Sequence, residues 1–327
     1  MTQATQTLAD QVRQGDRRAL AKAITLVEST RDDHRQQTAE LLEALTPVAG
    51  DSIRIGISGT PGVGKSTFIE VLGSHLIELG YSVAVLAVDP SSSITGGSIL
   101  GDKTRMETLA FAEKAFVRPS PTGNTLGGVT RRTRESMLLC EAAGFDIILV
   151  ETVGVGQSET AVADMTDMFL LMLLPAGGDE LQGIKRGIME LADLIIVNKV
   201  DGDHLASASK TMSDYRSAVK FLACKFDDWK TPVMSCSSLN NEGITQIWDQ
   251  VDVFRKTLLE TDQFHKHRAE QSKSWMWTEM AESLVADLKA NEKIKMLVPE
   301  IENAVLDGKL PATVAAQRLI DLYKKSN

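Results

Sequence analysis

A glycine-rich stretch between an apolar run and a helical pattern carries the residues best suited to chemistry. Residues 59–66 read GTPGVGKS and match G-x-x-x-x-G-K-[ST] at every fixed position. Glycines let several backbone N–H groups point inward, and the following helix adds the positive end of its dipole. Lys65 supplies a charge for terminal phosphates, and the Ser66 hydroxyl can ligate Mg²⁺. The stretch predicts a P-loop for a nucleoside triphosphate, with contacts from Gly59, Pro61, Gly62, Val63, Gly64, Lys65, Ser66 and Thr67.

A second polar motif, NKVD at 198–201, follows the apolar run 194–197. The Asp201 carboxylate can accept hydrogen bonds from N1–H and the exocyclic amine of guanine, and adenine offers neither donor there. A site of buried polar groups can reject an unmatched analogue by roughly 10⁴–10⁵. Asn198 would brace the loop, and the Lys199 stem would lie along the base. Four residues alone could be a polar turn, but their place after a P-loop and a predicted strand favours guanine. The segment Ser237-Ser238-Leu239, after the next strand, is expected to contact the guanine carbonyl.

The stretch VETVGVGQSE at 150–159 decides what is expected of hydrolysis. Glu151 takes the place of the Asp that in common GTPases binds Mg²⁺ through water, and Gly154 is the glycine that senses the γ-phosphate. Small GTPases follow that glycine with a Gln that orients the attacking water, whereas this chain has Val155. Gln157 is displaced by two positions. We therefore expect slow intrinsic hydrolysis that needs a rearrangement or a partner.

Two further carboxylates could serve the metal. Asp89 ends a predicted strand beside the phosphate loop, and Asp102 lies in a Gly/Ser-rich segment, where a simple turn or cap residue is the alternative. Mg²⁺ usually keeps several waters and takes one or two carboxylates. The predicted metal residues are Ser66, Asp89, Asp102 and Glu151, and the predicted catalytic residues are Lys65, Asp102, Glu151 and Lys185.

The polar segment PAGGDELQGIKRG at 175–187 follows another apolar run. Its glycines allow movement, and its charged side chains could couple the nucleotide state to a partner. We call residues 176–187 the switch segment; the residues predicted to act in it are Asp179, Glu180, Gln182 and Lys185.

The elements that must position these motifs alternate along the chain. Continuous apolar runs, separated by amphipathic stretches, are typical of parallel strands covered on both faces. The runs are IRIGIS, SVAVLAVD, KAFVRP, DIILVET, MFLLMLL, LIIVNK and PVMSCS. They predict a doubly wound α/β domain over 51–252, with ligands at the carboxyl ends of the strands. Residues 1–50 predict a helical arm, and 253–327 a helical extension punctuated by Pro299 and Pro311, in which Trp275 and Trp277 favour core or dimer packing.

The composition narrows the class of protein. The chain has 327 residues and a net charge of −9, which argues against a nucleic-acid surface. Three widely separated cysteines fit reduced thiols better than a disulfide framework. The most apolar stretch, at 168–177, is far shorter than the roughly 20 residues that span a bilayer, and the N-terminus has no apolar signal region. We therefore expect a cytoplasmic protein.

Taken together, the motifs resemble one family closely: the GTPase chaperones associated with methylmalonyl-CoA mutase. The resemblance rests on the P-loop, VDPSS at 88–92, GGSILGDKTRM at 96–106, ETVGVGQSE at 151–159, GDELQGIK at 178–185 and NKVD. Members were long labelled lysine/arginine/ornithine transport system kinases, and they belong to the GTPases named for Glu in the third motif. The similarity covers nearly the whole chain and is weakest after about residue 285.

The resemblance implies a P-loop fold, GTP/GDP and Mg²⁺ as ligands, and a homodimer joined partly through C-terminal helices. It also implies a complex with an adenosylcobalamin-dependent acyl-CoA mutase, whose cofactor loading the GTPase gates and whose activity it protects or rescues. Lys65, Ser66, Asp89, Asp102 and Glu151 correspond to its phosphate and metal residues, and the switch segment to its partner-sensing switch. Ser238 departs from the family's usual residue. A kinase acting on a transport protein is the alternative, and a nickel-type metallochaperone is disfavoured because the sequence lacks a His/Cys cluster.

Overall fold

The computed structural model describes residues 1–29, 31–48, 50–88, 106–118, 126–152, 158–175, 186–201, 205–222 and 224–326. Contacts between residues group the chain into a larger unit, 1–267, and a smaller unit, 268–327. Residues 253–267, which the sequence assigns to the C-terminal extension, therefore fall in the larger unit. The reason is burial, because Phe254 and Leu258 lie fully inside its hydrophobic core.

Within the described ranges, seven strands form one parallel sheet in the order β3-β2-β4-β1-β5-β6-β7. Each strand coincides closely with one of the seven apolar runs, which confirms the predicted α/β class. The strands are β1 (Ile53–Gly59), β2 (Val83–Val88), β3 (Ala115–Arg118), β4 (Ile147–Thr152), β5 (Met168–Leu173), β6 (Leu194–Val197) and β7 (Val233–Ser235).

Helices cover both faces of this sheet and account for the continuous apolar runs. Every residue of β2, β4, β5 and β6 is buried, as expected for strands packed on two sides. The helices of the larger unit are α1 (Gln3–Arg13), α2 (Arg17–Val27), α3 (Asp32–Leu45), α4 (Lys65–Glu78), α5 (Glu107–Phe111), α6 (Leu126–Ala142), α7 (Ser158–Ala163), α8 (Arg186–Leu191), α9 (Leu205–Val219) and α10 (Ile244–Glu260). A short 3₁₀ helix spans Thr46–Val48.

The N-terminal helices are part of the core. Leu20, Ile24 and Leu41 are fully buried and belong to the same hydrophobic cluster as Ile148 of β4. Asp16 caps α2 by accepting hydrogen bonds from the backbone N–H groups of Arg18 and Ala19, which lower the pKa of its carboxyl. The opposite face of the sheet is covered by α4, α5 and α10.

The described C-terminal part of the chain consists of helices joined by short connections. It contains α11 (Gln263–Ala290), which begins in the larger unit, α12 (Glu292–Leu306) and α13 (Ala312–Ser326). Pro299 does not interrupt the helix as the sequence suggested, because α12 runs through it, whereas Pro311 directly precedes α13. Trp277 is 57% exposed, so it does not pack in the core of the chain. No helix in the described ranges is long and apolar enough to cross a membrane.

Candidate nucleotide-binding site

The phosphate loop joins the end of β1 to the start of α4. A Cβ atom at Gly59 would collide with the carbonyl oxygen of Met172 on the neighbouring strand β5, so only glycine fits there. Gly64 has φ of +94°, a left-handed conformation that side chains rarely adopt, and it directly precedes Lys65, the first residue of α4. The loop therefore delivers the amino end of α4 to the carboxyl edge of the sheet, where anions bind well. Pro61, Gly62 and Thr67 are exposed, and Val63 is buried.

Lys65 is held close to the loop that it is expected to serve. Its Nζ donates a hydrogen bond of 2.8 Å to the carbonyl oxygen of Gly59. Burial lowers the pKa of the Lys65 ammonium, and the charges of Glu151 and Glu159 act in the opposite direction. The ammonium is thus partly desolvated and held beside the phosphate loop, an arrangement suited to meeting a phosphate.

The hydroxyl and carboxylate expected at the metal meet across the loop. Ser66 Oγ donates to Glu151 Oε1 at 3.0 Å, because β1 and β4 pair with Ile57 opposite Glu151. Below them, Thr152 Oγ1 and Ser58 Oγ form a buried hydrogen bond of 2.8 Å. A hydroxyl beside a carboxylate is a donor set that Mg²⁺ accepts, and the two would hold the ion next to the phosphates.

Asn198 connects the phosphate loop with the base-recognition loops. Its Nδ2 donates to the carbonyl oxygen of Val63 at 2.8 Å. Its Oδ1 accepts hydrogen bonds from Ser238 N (3.1 Å), Ser238 Oγ (2.9 Å) and Cys236 Sγ (3.3 Å). The side-chain amide of Asn198 thus connects its own loop with the phosphate loop and with the segment after β7, which is consistent with the bracing role predicted for it.

Asp201 is oriented by the segment after β7. Ser237 Oγ donates to Asp201 Oδ2 at 2.6 Å and accepts a hydrogen bond from the backbone N–H of Asn240. Lys199 has φ of +62°, a strained conformation for a lysine. Its Cε lies 3.9 Å from the position that a Cβ of Gly64 would take, so the lysine stem crosses toward the phosphate loop. This arrangement suits a base held between the Lys199 stem and the Asp201 carboxylate.

Ser238 and Leu239 complete the predicted base-recognition set. The Ser238 backbone N–H donates to Asn198 here, and the Leu239 side chain is exposed. The structure thus brings together Lys65, Ser66 and Glu151 at the phosphate end and Asn198, Lys199, Asp201, Ser237 and Ser238 at the base end. The remaining predicted residues lie outside the described residues: Asp89, Asp102, Gly154, Val155, Gln157, Asp179, Glu180, Gln182 and Lys185.

Sequence reasoning missed the residues that support this site from beneath. Cys236 is buried, which raises the pKa of its thiol to about 12 and keeps it protonated as a donor to Asn198. Ser58 and Thr152 lie at the ends of β1 and β4, and Glu159 lies in the first turn of α7. Thr152 and Glu159 lie within the stretch VETVGVGQSE, and Ser58 and Cys236 directly precede a motif, but no pattern in the sequence assigns these four residues a role.

Comparisons with known proteins agree with this geometry. The family model for methylmalonyl Co-A mutase-associated GTPase MeaB matches residues 20–293. GTPase ArgK of Escherichia coli is 50% identical over 321 residues, 97% of each chain. The mouse protein named methylmalonic aciduria type A homolog, mitochondrial, is 47% identical over 320 residues, 95% of this chain and 77% of that one. A solved structure of an LAO/AO transport system kinase, 39% identical, superposes with a TM-score of 0.78 over 99% of both chains.

These similarities extend over almost the whole chain, and they include the P-loop and the NKVD motif. The predicted family and the predicted GTPase activity are thereby confirmed. The chain belongs to the methylmalonyl-CoA mutase-associated GTPases.

Proposed function

We propose that this GTPase acts as a timer for an adenosylcobalamin-dependent acyl-CoA mutase. In this role GTP binding and hydrolysis gate cofactor loading and protect or reactivate the mutase. The observation that carries the proposal is the position of Asn198, whose side chain bonds both Val63 of the phosphate loop and Ser238 of the segment after β7. A group shared in this way would couple base recognition to phosphate recognition. The family's printed association with methylmalonyl-CoA mutase supports the choice of partner.

Mg²⁺ is the proposed cofactor. Ser66 and Glu151, whose Oγ and Oε1 atoms lie 3.0 Å apart, would hold it, with Asp89 and Asp102 as further candidates. Mg²⁺ would neutralise charge that develops on the phosphates, and the Lys65 ammonium would contribute further positive charge.

Slow intrinsic hydrolysis and acceleration by the partner complete the proposal. Val155 stands where a glutamine would orient the attacking water, so the chain by itself lacks that group at this position. The switch segment, with Asp179, Glu180, Gln182 and Lys185, is proposed to sense the mutase. No binding of cobalamin by the chain itself is required.

A homodimer is the proposed assembly. Apolar side chains along α11 are exposed, and they recur at positions that share one broad face of the helix: Met276, Trp277, Met280 and Leu284. Such a row on a helix is typical of an interface between subunits. The free cysteines Cys140, Cys224 and Cys236 suit a reducing compartment, and we propose the cytoplasm.

The decisive experiment is GTP turnover with a purified methylmalonyl-CoA mutase titrated in. We expect the mutase to accelerate GTP hydrolysis about tenfold or more. This acceleration should stay well below the roughly 10⁵ that activators reach when they supply an arginine. Lys185→Ala should lower the stimulated rate more than the basal rate, with Lys309→Ala, an exposed lysine elsewhere, as the matched control. Equal loss of both rates would contradict the role proposed for the switch segment.

A kinase is the second candidate, because the solved structure described as a transport system kinase is 39% identical. The two functions differ in the fate of the γ-phosphate. With γ-labelled GTP, a timer releases the label as inorganic phosphate, whereas a kinase leaves it on an acceptor protein.

A further inference from the structure

A cavity lies at the amino ends of β6 and β7, away from the carboxyl ends that hold the nucleotide motifs. Its volume is about 560 Å³, within the range of pockets for small molecules. Met189 of α8, Val219 of α9 and Val233 of β7 are among its apolar lining residues. Helices α8 and α9 and the segment 224–233 surround it, so it is built from one side of the larger unit.

Positive charge is concentrated at this cavity, although the protein as a whole carries −9. The lining contains four basic side chains, Arg216, Lys220, Lys225 and Lys230, and one carboxylate, that of Glu190. This local excess of cations contrasts with the acidic chain around it, and charge complementarity therefore calls for an anion.

Two of the four basic side chains form a hydrogen bond or an ion pair within the protein. Arg216 Nη2 donates to the carbonyl oxygen of Val233 at 3.1 Å, and Lys225 Nζ lies 3.2 Å from Asp193 Oδ2. Among the described residues, none forms a hydrogen bond or ion pair with the side-chain ammonium of Lys220 or Lys230. Within the described residues, these two ammonium groups are therefore available to a ligand at the cavity.

We propose that this cavity binds a small amphipathic anion: a phosphate or carboxylate group on a short apolar body. The apolar body would occupy the space beside Met189, Val219 and Val233, and Lys220 and Lys230 would contact the anionic group. An apolar wall with a few placed charges is the usual construction of a small-molecule site. This site is separate from the nucleotide site, so its failure would leave the proposed function intact.

The cavity contains its own reporter. Cys224 belongs to the lining and is exposed, whereas Cys140 and Cys236 are buried and burial raises the pKa of both thiols. At pH 8 a neutral reagent such as iodoacetamide should therefore modify Cys224 selectively. Its labelling rate, followed by mass spectrometry, measures occupancy of the cavity.

The test compares n-hexyl phosphate and n-heptanoate with 1-hexanol and inorganic phosphate. At a concentration about ten times its Kd, at least one of the two amphipathic anions should slow Cys224 labelling about tenfold, since the rate follows the free fraction of the site. Which of the two protects decides between a phosphate and a carboxylate ligand. Hexanol, which lacks the anionic group, and inorganic phosphate, which lacks the apolar body, should not protect Cys224 from labelling.

Reversing the charges of the two proposed ligand-binding lysines, with the same change elsewhere as the control, tests their role. Lys220→Glu with Lys230→Glu should abolish protection, while Lys309→Glu with Lys324→Glu, the same charge change in the smaller unit, should leave it intact. GDP binding by each variant checks that it is folded. No protection by either anion, equal protection by hexanol, or protection that survives the Lys220/Lys230 reversal would each overturn the proposal.

Discussion

At the scale of single residues, the proposed recognition of guanine depends on a carboxylate that another side chain holds in place. Ser237 Oγ receives a backbone hydrogen bond from Asn240, which leaves its proton for Asp201. The carboxylate is therefore oriented before any nucleotide binds. Such preorganisation lets a site discriminate by hydrogen bonds, because an unmatched base leaves buried polar groups unpaired.

Asp201→Asn should reverse the base preference. The amide nitrogen of Asn would face the N1–H and amine donors of guanine, so GDP binding should weaken at least about 100-fold. Xanthosine diphosphate should bind better than to the original chain, because its C2 carbonyl can accept from that nitrogen. Calorimetric titration of both nucleotides measures this. Asp249→Asn, the same change on an exposed part of α10, should leave both affinities unchanged, and an unaltered base preference in Asp201→Asn would refute the assignment.

Two glycines of the phosphate loop allow the Asn198 connection to be tested without nucleotide. Both have positive φ, +79° at Gly62 and +94° at Gly64, but a Cβ at Gly64 would lie 2.8 Å from Asn198 Nδ2, whereas Gly62 has open space. Gly62→Ala should cost about 1 kcal/mol from backbone strain. Gly64→Ala should cost about 2–3 kcal/mol, because it also displaces Asn198 from the Val63 carbonyl. Urea unfolding measures both, and equal losses would show that the connection contributes nothing.

At the scale of elements, parallel pairing brings the motifs together. The register sets Ile57 opposite Glu151 and Val197 opposite Ser235, so the ends of β1, β4, β6 and β7 come to one edge. Motifs far apart in the chain thereby share one site, as the topology of doubly wound sheets requires.

Helix α12 contains a proline, the residue that is least favourable inside a helix. Pro299 lies inside it, is exposed, and has no N–H to offer the preceding turn. Pro299→Ala should raise the local stability of α12 by about 2 kcal/mol, the helix gain less the greater freedom of the unfolded chain. Amide hydrogen exchange over 292–306 measures this.

Pro311 is the control for that change. It directly precedes α13, where a proline's fixed φ suits a helix start, so Pro311→Ala should not increase protection of α13. Slower exchange in α13 but not in α12 would contradict this account of the two prolines.

At the scale of the whole molecule, the exposed apolar row on α11 is the surface that we propose as the dimer interface. Met280→Glu with Leu284→Glu should convert the proposed dimer to a monomer, since carboxylates buried in an apolar interface cost several kcal/mol. Sedimentation velocity measures this. Val253→Glu with Leu259→Glu, on exposed apolar positions of α10, should leave the mass unchanged; if both pairs act alike, α11 is not the interface.

The sequence by itself determined the class of fold and the chemistry of the two motifs. Continuous apolar runs specify buried parallel strands, and the P-loop and NKVD patterns work because their residue types and spacing are local requirements of backbone and base. Ser66, Glu151 and Asp201 could be named in this way without knowledge of their neighbours.

Only the tertiary structure decided what supports those residues. The Cys236 thiol, the Ser238 hydroxyl and the Val63 carbonyl meet at Asn198 because strands distant in the chain end side by side, and no periodicity encodes that meeting. The basic cavity likewise combines Lys220, in the turn after α9, with Lys230 of a later loop, and neither segment carries a motif in the sequence. Local patterns specify elements and motifs, whereas long-range packing specifies which side chains share a hydrogen bond or a cavity.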